Sequence, residues 1–192
     1  MKNTIKCSIA GLIALITGGT YLEADNSNKS IGDVYIDGEY VTTLRITPKG
    51  LALIGNAEGC KLDPYRCPAG LKTNGVGNTH NVPDKRITEA QAAKDWVLNI
   101  KQAELCLAAS KGSTDLSNAQ WDGLTSFVFN TGCSRFRFNK NGSKTLIYKL
   151  TNQGEYAKAC GQLERWIYAN GEPLKGLKVR RGKEYDRCTD LD

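Results

Sequence analysis

Residues 58–73 read EGCKLDPYRCPAGLKT, and the change of texture inside this stretch decides how the chain is organised. Upstream of it, Thr47-Pro48 opens a helix, with threonine as N-cap and proline at the first helical position. That helix, PKGLALIGNAE, runs up to Gly59, and Leu51, Ile54 and Glu58 fall three and four apart, on one face. A carboxylate emerging from an apolar helix face is costly unless it is paired or used. From Asp63 to His80 the helical pattern is lost. Pro64, Pro68, Gly70, Gly75 and Gly77 punctuate runs too short for helix, which predicts short strands joined by tight turns.

Past Pro83 the pattern is helical again. Thr88-x-x-Gln91 reads as a capping box opening a long helix in which Ala93, Val97, Ile100 and Ala103 recur at helical spacing. Ser117-x-x-Gln120 opens another, with Trp121, Leu124, Phe127 and Val128, and further helices are expected near 144–152, 155–168 and 176–187. The fold class is therefore α+β: a small β lobe ahead of a larger, mostly helical lobe, with a cleft between them suited to a substrate. Residues 47–192 form the expected catalytic domain. Residues 23–46 begin as a polar linker and include a short hairpin, VYIDGEYV, around the Asp37-Gly38 turn signal.

The composition narrows the chemistry. The chain has 192 residues, enough for one domain of roughly 100–200 residues. Its single histidine, His80, argues against a zinc amidase, because catalytic zinc usually takes two or three imidazoles. No metal or other cofactor is expected. The net charge of +6 suits an anionic partner, and export makes a cell wall or membrane surface a better fit than nucleic acid. Export is read from residues 1–22, where Lys2 and Lys6 precede an apolar stretch from Cys7 to Leu22. That stretch is short of the about 20 apolar residues a comfortable span needs and is diluted by glycine and threonine. The ordinary reading is a cleaved signal peptide, but no clear A-x-A site follows the stretch, and the sharper reading is a weakly held anchor that is retained and can leave the membrane. Seven cysteines (7, 60, 67, 106, 133, 160, 188) fit an oxidising compartment, and the odd count leaves one thiol over.

Eight residues separate Glu58 from Cys67 and five separate Cys67 from Thr73. This spacing resembles phage endolysins of the T4-lysozyme type, glycoside hydrolase family 24, whose signature is Glu, eight residues, Asp or Cys, five residues, then Thr. Gly59, Tyr65, Gly70 and Gly75-Val76-Gly77 sit where that family places them. Phe129-Asn130-Thr131-Gly132-Cys133 resembles its F-N-x-G segment, and Gly176-Leu177, Arg180-Arg181 and Glu184 its C-terminal GL-x-x-RR-x-x-E helix. With Cys7 and Glu58-Gly59-Cys60 included, the chain is most similar to the signal-arrest-release branch.

The resemblance implies a muramidase acting between N-acetylmuramic acid and N-acetylglucosamine in peptidoglycan, with inversion at the anomeric carbon. Glu58, desolvated by its apolar helix face, would be the general acid. Cys67, in place of the commoner Asp, would hold the second position, although an unperturbed thiol has a pKa of about 8.5. Thr73 would hold the water, and Asn130 is a substrate-binding candidate. Asn78 stands where many relatives carry His after G-x-G, and His80 is assigned no catalytic part.

The resemblance also implies a cysteine switch. In the tethered form, on the inner membrane facing the periplasm, Cys60 would pair with Cys67. After release into the periplasm, Cys7 would take Cys60 and leave Cys67 as a thiol, with Cys106–Cys133 and Cys160–Cys188 as structural staples. By itself the sequence leaves the pairing open, since six paired cysteines already allow about 15 connectivities. Holin or pinholin depolarisation is the implied trigger, and a monomer suffices.

Plainer readings stand beside these. The basic residues Lys175, Lys178, Arg180, Arg181, Lys183 and Arg187 read by default as a solvated helix face. Trp96, Trp121 and Trp166 fit either the core or the cleft edge, and Tyr65 is expected near the cleft. A lytic transglycosylase would use one Glu without Cys67 and Thr73, and a stapled wall-binding protein would use none of them.

Overall fold

The structure, a computed structural model, describes residues 7–19, 28–67, 70–169 and 171–191. Lys2, Lys6, Pro68 and residues 20–27, where the anchor is expected to end and the linker to begin, lie outside the described residues.

The chain enters through helix α1 (Ile9–Thr17), capped by the Ser8 hydroxyl and ended by Gly18 in the left-handed region. A hairpin follows, β1 (Gly32–Ile36) with β2 (Glu39–Leu44). Its two-residue turn has φ 55° at Asp37 and 78° at Gly38, the conformation that the Asp-Gly pair favours. Helix α2 (Pro48–Glu58) is capped by Thr47, and the lobe behind it is β3 (Lys61–Arg66) paired antiparallel with β4 (Lys72–Gly75), Tyr65 facing Thr73. Helix α3 (Glu89–Ala108) runs 20 residues, about 30 Å. Its capping box is half made: Thr88 caps the Gln91 amide, while the Gln91 side chain turns to Asp95. In α4 (Asn118–Thr131) the Ser117–Gln120 box is complete.

The remaining helices are α5 (Cys133–Arg137), α6 (Leu146–Asn152), α7 (Tyr156–Cys160) and α8 (Lys175–Cys188). The single helix expected over 155–168 is instead α7, a 3-10 turn at Leu163–Arg165 and the two-residue strand β5 (Tyr168–Ala169), which pairs with β6 (Glu172–Pro173). Gly161 ends α7, and the turn beyond it buries Leu163 and sets Trp166 edge-on against Phe127 at 5.0 Å. That packing outweighs the helical pattern of the sequence.

The core does not begin at Thr47. Leu12, Ile13 and Ile16 of α1, Val34 and Ile36 of β1, and Leu44 and Ile46 are all buried in the same cluster as Leu51, Ile54, Trp96 and Ile100. Each such side chain contributes about 1.5–3 kcal/mol when taken out of water. Among the described residues no helix is long and apolar enough to cross a membrane. Trp96 and Trp121 are core residues, and Trp166 is half-buried.

Candidate active site

Glu58 is the last residue of α2, and Gly59 at φ 68° turns the chain out of the helix. The carboxylate does not meet an apolar environment, as its helix face implied. Its Oε1 accepts from Arg180 Nη1 at 2.5 Å, and its side chain stays 22% exposed. The other oxygen, Oε2, lies over Gly77, where an added Cβ would come within 3.2 Å of it. Gly77 has φ 68°, so glycine serves both the backbone and the space beside the carboxylate.

Arg180 belongs to a charge network on α8 that corrects the solvated-face reading of that helix. Arg180, Arg181 and Arg187 are buried, although their lysine neighbours are not. Arg180 Nε also donates to Glu184 Oε1 at 3.0 Å, which accepts from Ser126 Oγ at 2.8 Å. Arg181 pairs with Glu184 Oε2, reaches Asn130 Oδ1 and lies over the Phe127 ring at 4.8 Å. Burial pushes the Arg181 pKa down, and the Glu184 carboxylate opposes that shift. Glu184 itself is fully buried, so two guanidinium groups and a hydroxyl hold a carboxylate that would otherwise be costly. Arg180, Arg181 and Glu184 carry the C-terminal part of the resemblance, and the sequence alone gives them no place at the site. The three- and four-residue spacings to Glu184 were the available signal.

On the β lobe, Cys67 follows the end of β3 and is half-buried. Its amide donates to the Leu71 carbonyl at 3.0 Å, and it lies outside the three disulfides. Thr73 is buried opposite Tyr65, and its hydroxyl donates to the same Leu71 carbonyl at 3.0 Å. Directly opposed residues share one face of an antiparallel pair, so Tyr65 and Thr73 point the same way, and Cys67 opens the turn just beyond them. Burial raises the Tyr65 phenol pKa, and the charges of Glu58 and Cys67 raise it further, so the three groups share one electrostatic environment. Lys61 Nζ sits over the Tyr65 ring at 4.4 Å. Asn78, buried, takes a hydrogen bond from Asn99 Nδ2 at 3.2 Å and donates to Asn74 Oδ1 at 3.1 Å, while His80 is exposed.

A cleft of about 1340 Å³ is lined among others by Gly77, Asn78, Asn99, Phe129 and Gly132, while Glu58, Cys67 and Thr73 are not among its lining residues. It exceeds the 300–1,000 Å³ typical of small-molecule pockets. Gly77 joins the cleft wall to Glu58. Asn130 is exposed, with its side-chain oxygen held by Arg181. The cysteines pair as Cys7–Cys60, Cys106–Cys133 and Cys160–Cys188, with Cα separations of 5.4, 5.7 and 5.7 Å. Among the described residues no His/Cys/Asp/Glu group could hold a metal ion.

The phage lysozyme family profile matches residues 55–184, the span from α2 through the Arg180–Glu184 network. The chain belongs to the phage lysozyme family. It is a phage-type endolysin lysozyme, a glycoside hydrolase. The SAR-endolysin of Escherichia phage P1 is 42% identical over 151 residues, 76% of this chain and 82% of that one. The SAR-endolysin of Haemophilus phage HP1 is 37% identical over 150 residues, 75% and 81% of the two chains. Among solved structures, the active form of P1 phage endolysin Lyz superposes with TM-score 0.76 at 38% identity, covering 95% of this chain and 94% of that one. The secreted inactive form of the same endolysin gives 0.52 at 43% identity over 72% and 92%. The lysozyme-like α+β fold expected from the sequence is the fold observed.

Proposed function

We propose that this phage lysozyme is a muramidase that hydrolyses the β-1,4 bond between N-acetylmuramic acid and N-acetylglucosamine and so lyses the host cell. The observation that carries the reading is Glu58, held through one oxygen by Arg180, with the other beside Gly77 in the cleft wall. In this reading Glu58 Oε2 delivers the proton to the leaving glycosidic oxygen. Cys67 and Thr73 stand on the β-lobe side and position the attacking water. The Thr73 hydroxyl proton is committed to the Leu71 carbonyl, so toward a water it can only accept. A water that donates one hydrogen to Thr73 and one to the Cys67 sulfur keeps a lone pair for the anomeric carbon. The proton it sheds on attack passes to solvent, from which the Glu58 carboxylate is reprotonated for the next turnover. Asn130, fixed by Arg181, offers its amide group to substrate.

The regulatory part of the proposal begins with residues 1–22 as a releasable anchor, placing the enzyme on the inner membrane facing the periplasm. There Cys60 pairs with Cys67 and the enzyme is silent. Depolarisation by a holin or pinholin frees the anchor, Cys7 takes Cys60, and a monomer works in the periplasm. The Cys7–Cys60 pairing and the TM-scores of 0.76 and 0.52 to the active and inactive forms of the P1 endolysin support this order.

Digestion of purified peptidoglycan, with the released fragments weighed by mass spectrometry, tests the chemistry. The wild type should give hydrated reducing ends. Glu58→Gln should lose at least about 100-fold in rate, the low end of what a general acid contributes, and still bind wall. Anhydro ends would make the enzyme a lytic transglycosylase, and an active Glu58→Gln would overturn the assignment.

A further inference from the structure

We infer that a seat on α2 and α3, built around the missing side chain of Gly55, captures α1 from water and is what drives the cysteine exchange; the inference rests on the exchange proposed above. In that exchange the Cys7 thiolate attacks Sγ of Cys60, the Cys7–Cys60 bond forms and the Cys60–Cys67 bond breaks. Cys67 leaves as a thiolate and takes up the proton that Cys7 gave away. One disulfide replaces another with no oxidant, so the bond chemistry gives the step no direction.

Chain entropy opposes it. The Cys7–Cys60 bridge closes a sequence separation of 53, against 7 residues from Cys60 to Cys67. Closure probability falls as the three-halves power of loop length, which favours the shorter loop by about 20-fold. Something non-covalent must overcome that bias, and α1 supplies it: Leu12, Ile13 and Ile16 are at most 2% exposed in the core. Burying three such side chains from water is worth about 10⁴-fold. While α1 lies in lipid its side chains are already out of water, so the seat offers nothing. Release into water turns the seat on.

The shape of the seat is specific. A Cβ added at Gly55 would lie 2.5 Å from Ile9 Cγ2 and 3.0 Å from Trp96 Cη2. Gly55 has an ordinary helical backbone in the middle of α2, where alanine is the better helix former by about 1 kcal/mol. Space for Ile9 is therefore the structural reason for glycine there. Ile9 lies two residues after Cys7 and Gly55 five before Cys60, so seating one on the other brings the sulfur atoms together.

The test equilibrates the reduced full-length chain in a glutathione redox buffer without membrane. After acid quenching, the ratio of Cys7–Cys60 to Cys60–Cys67 is read by peptide mapping. The wild type should be almost wholly Cys7–Cys60. Gly55→Ala should lower the ratio at least about 10-fold without loss of helical circular dichroism, and Ile9→Ala added to it should recover part of the ratio. Gly11→Ala, whose Cβ would meet Ser8 at an ordinary 3.5 Å, should not lower the ratio. An unchanged ratio in Gly55→Ala, or an equal fall in Gly11→Ala, overturns the seat. Absence of Cys60–Cys67 even in Cys7→Ser instead overturns the exchange on which it rests.

Discussion

Glu104 lies 2% exposed in α3, and one of its oxygens carries the junction that leads into the catalytic helix. Oε1 accepts from the Arg45 amide at 2.9 Å, the Ile46 amide at 2.6 Å and the Trp121 indole at 3.0 Å. Replacing Glu104 by Ala strands three buried donors, each costing about 1–2 kcal/mol, so about 3–6 kcal/mol in all. That is a large part of a typical stability of about 5–15 kcal/mol. Glu104→Gln keeps a carbonyl oxygen for all three donors, and its amide replaces only Oε2, which lies 4.0 Å from Lys101 Nζ. It should stay within about 1 kcal/mol of wild type at pH 7. Burial raises the Glu104 pKa, with its hydrogen bonds and Lys101 opposing the rise. A carboxyl whose folded pKa is raised favours folding most when protonated. That contribution is complete below the unfolded value of about 4.3 and is lost as pH rises through the folded value. Wild type should therefore gain on Glu104→Gln as the pH falls into that window. Urea titrations at several pH values under non-reducing conditions measure this. A Glu104→Gln variant as unstable as Glu104→Ala would refute the reasoning, because the ionic charge would then matter more than the three hydrogen bonds.

Other outcomes follow from the site and the staples. Glu184→Ala leaves Arg180 and Arg181 buried without their shared carboxylate, and thermal or urea unfolding should show a loss of about 3–5 kcal/mol. Gly77→Ala places a Cβ 3.2 Å from Glu58 Oε2 at φ 68°. Strain should cost about 1–2 kcal/mol, with peptidoglycan turnover falling at least about 10-fold; normal turnover would mean that Oε2 is not the working oxygen. Removing the Cys106–Cys133 bridge, sequence separation 27, by double substitution to Ser should cost about 3–4 kcal/mol in calorimetry or urea unfolding.

What the sequence made legible is what is decided within a few residues. Thr47-Pro48, Asp37-Gly38 and the Ser117–Gln120 box each place their hydrogen bonds or φ angles locally, and each element starts or turns there. The burial of Arg180, Arg181 and Arg187 is not local. Arg180 meets Glu58 across 122 residues and Arg187 meets Asp122 across 65, so composition alone returns a solvated basic face. The helix pattern of α2 showed on which face Glu58 lies but not that a guanidinium stands opposite. The apolar run of α1 is ambiguous for a different reason: lipid and a protein core select the same side chains. The described structure places the run in the core.

The position of Glu58 depends on α8 as much as on its own helix. Arg180, Glu184 and Arg187 recur at i, i+4 and i+7, one face of α8 over two turns, about 10.5 Å. At one end Arg187 Nε donates to Asp122 Oδ2 at 2.9 Å, and Asp122 accepts from the Thr47 amide at 2.9 Å and the Thr47 hydroxyl at 2.5 Å. Asp122 thus ties α8 to the N-cap of α2. At the other end Arg180 holds Glu58 at the C-terminus of that helix. Gly123 lets α8 come this close, since a Cβ there would lie 2.7 Å from Cys188 Cβ and 2.8 Å from the Glu184 carbonyl. The Cys160–Cys188 bridge then fixes the end of α8 in the core. A displacement of α8 along its axis would move both contacts of α2 together. The staple therefore acts on the carboxylate without touching it, and the charged face of α8 serves to position the site.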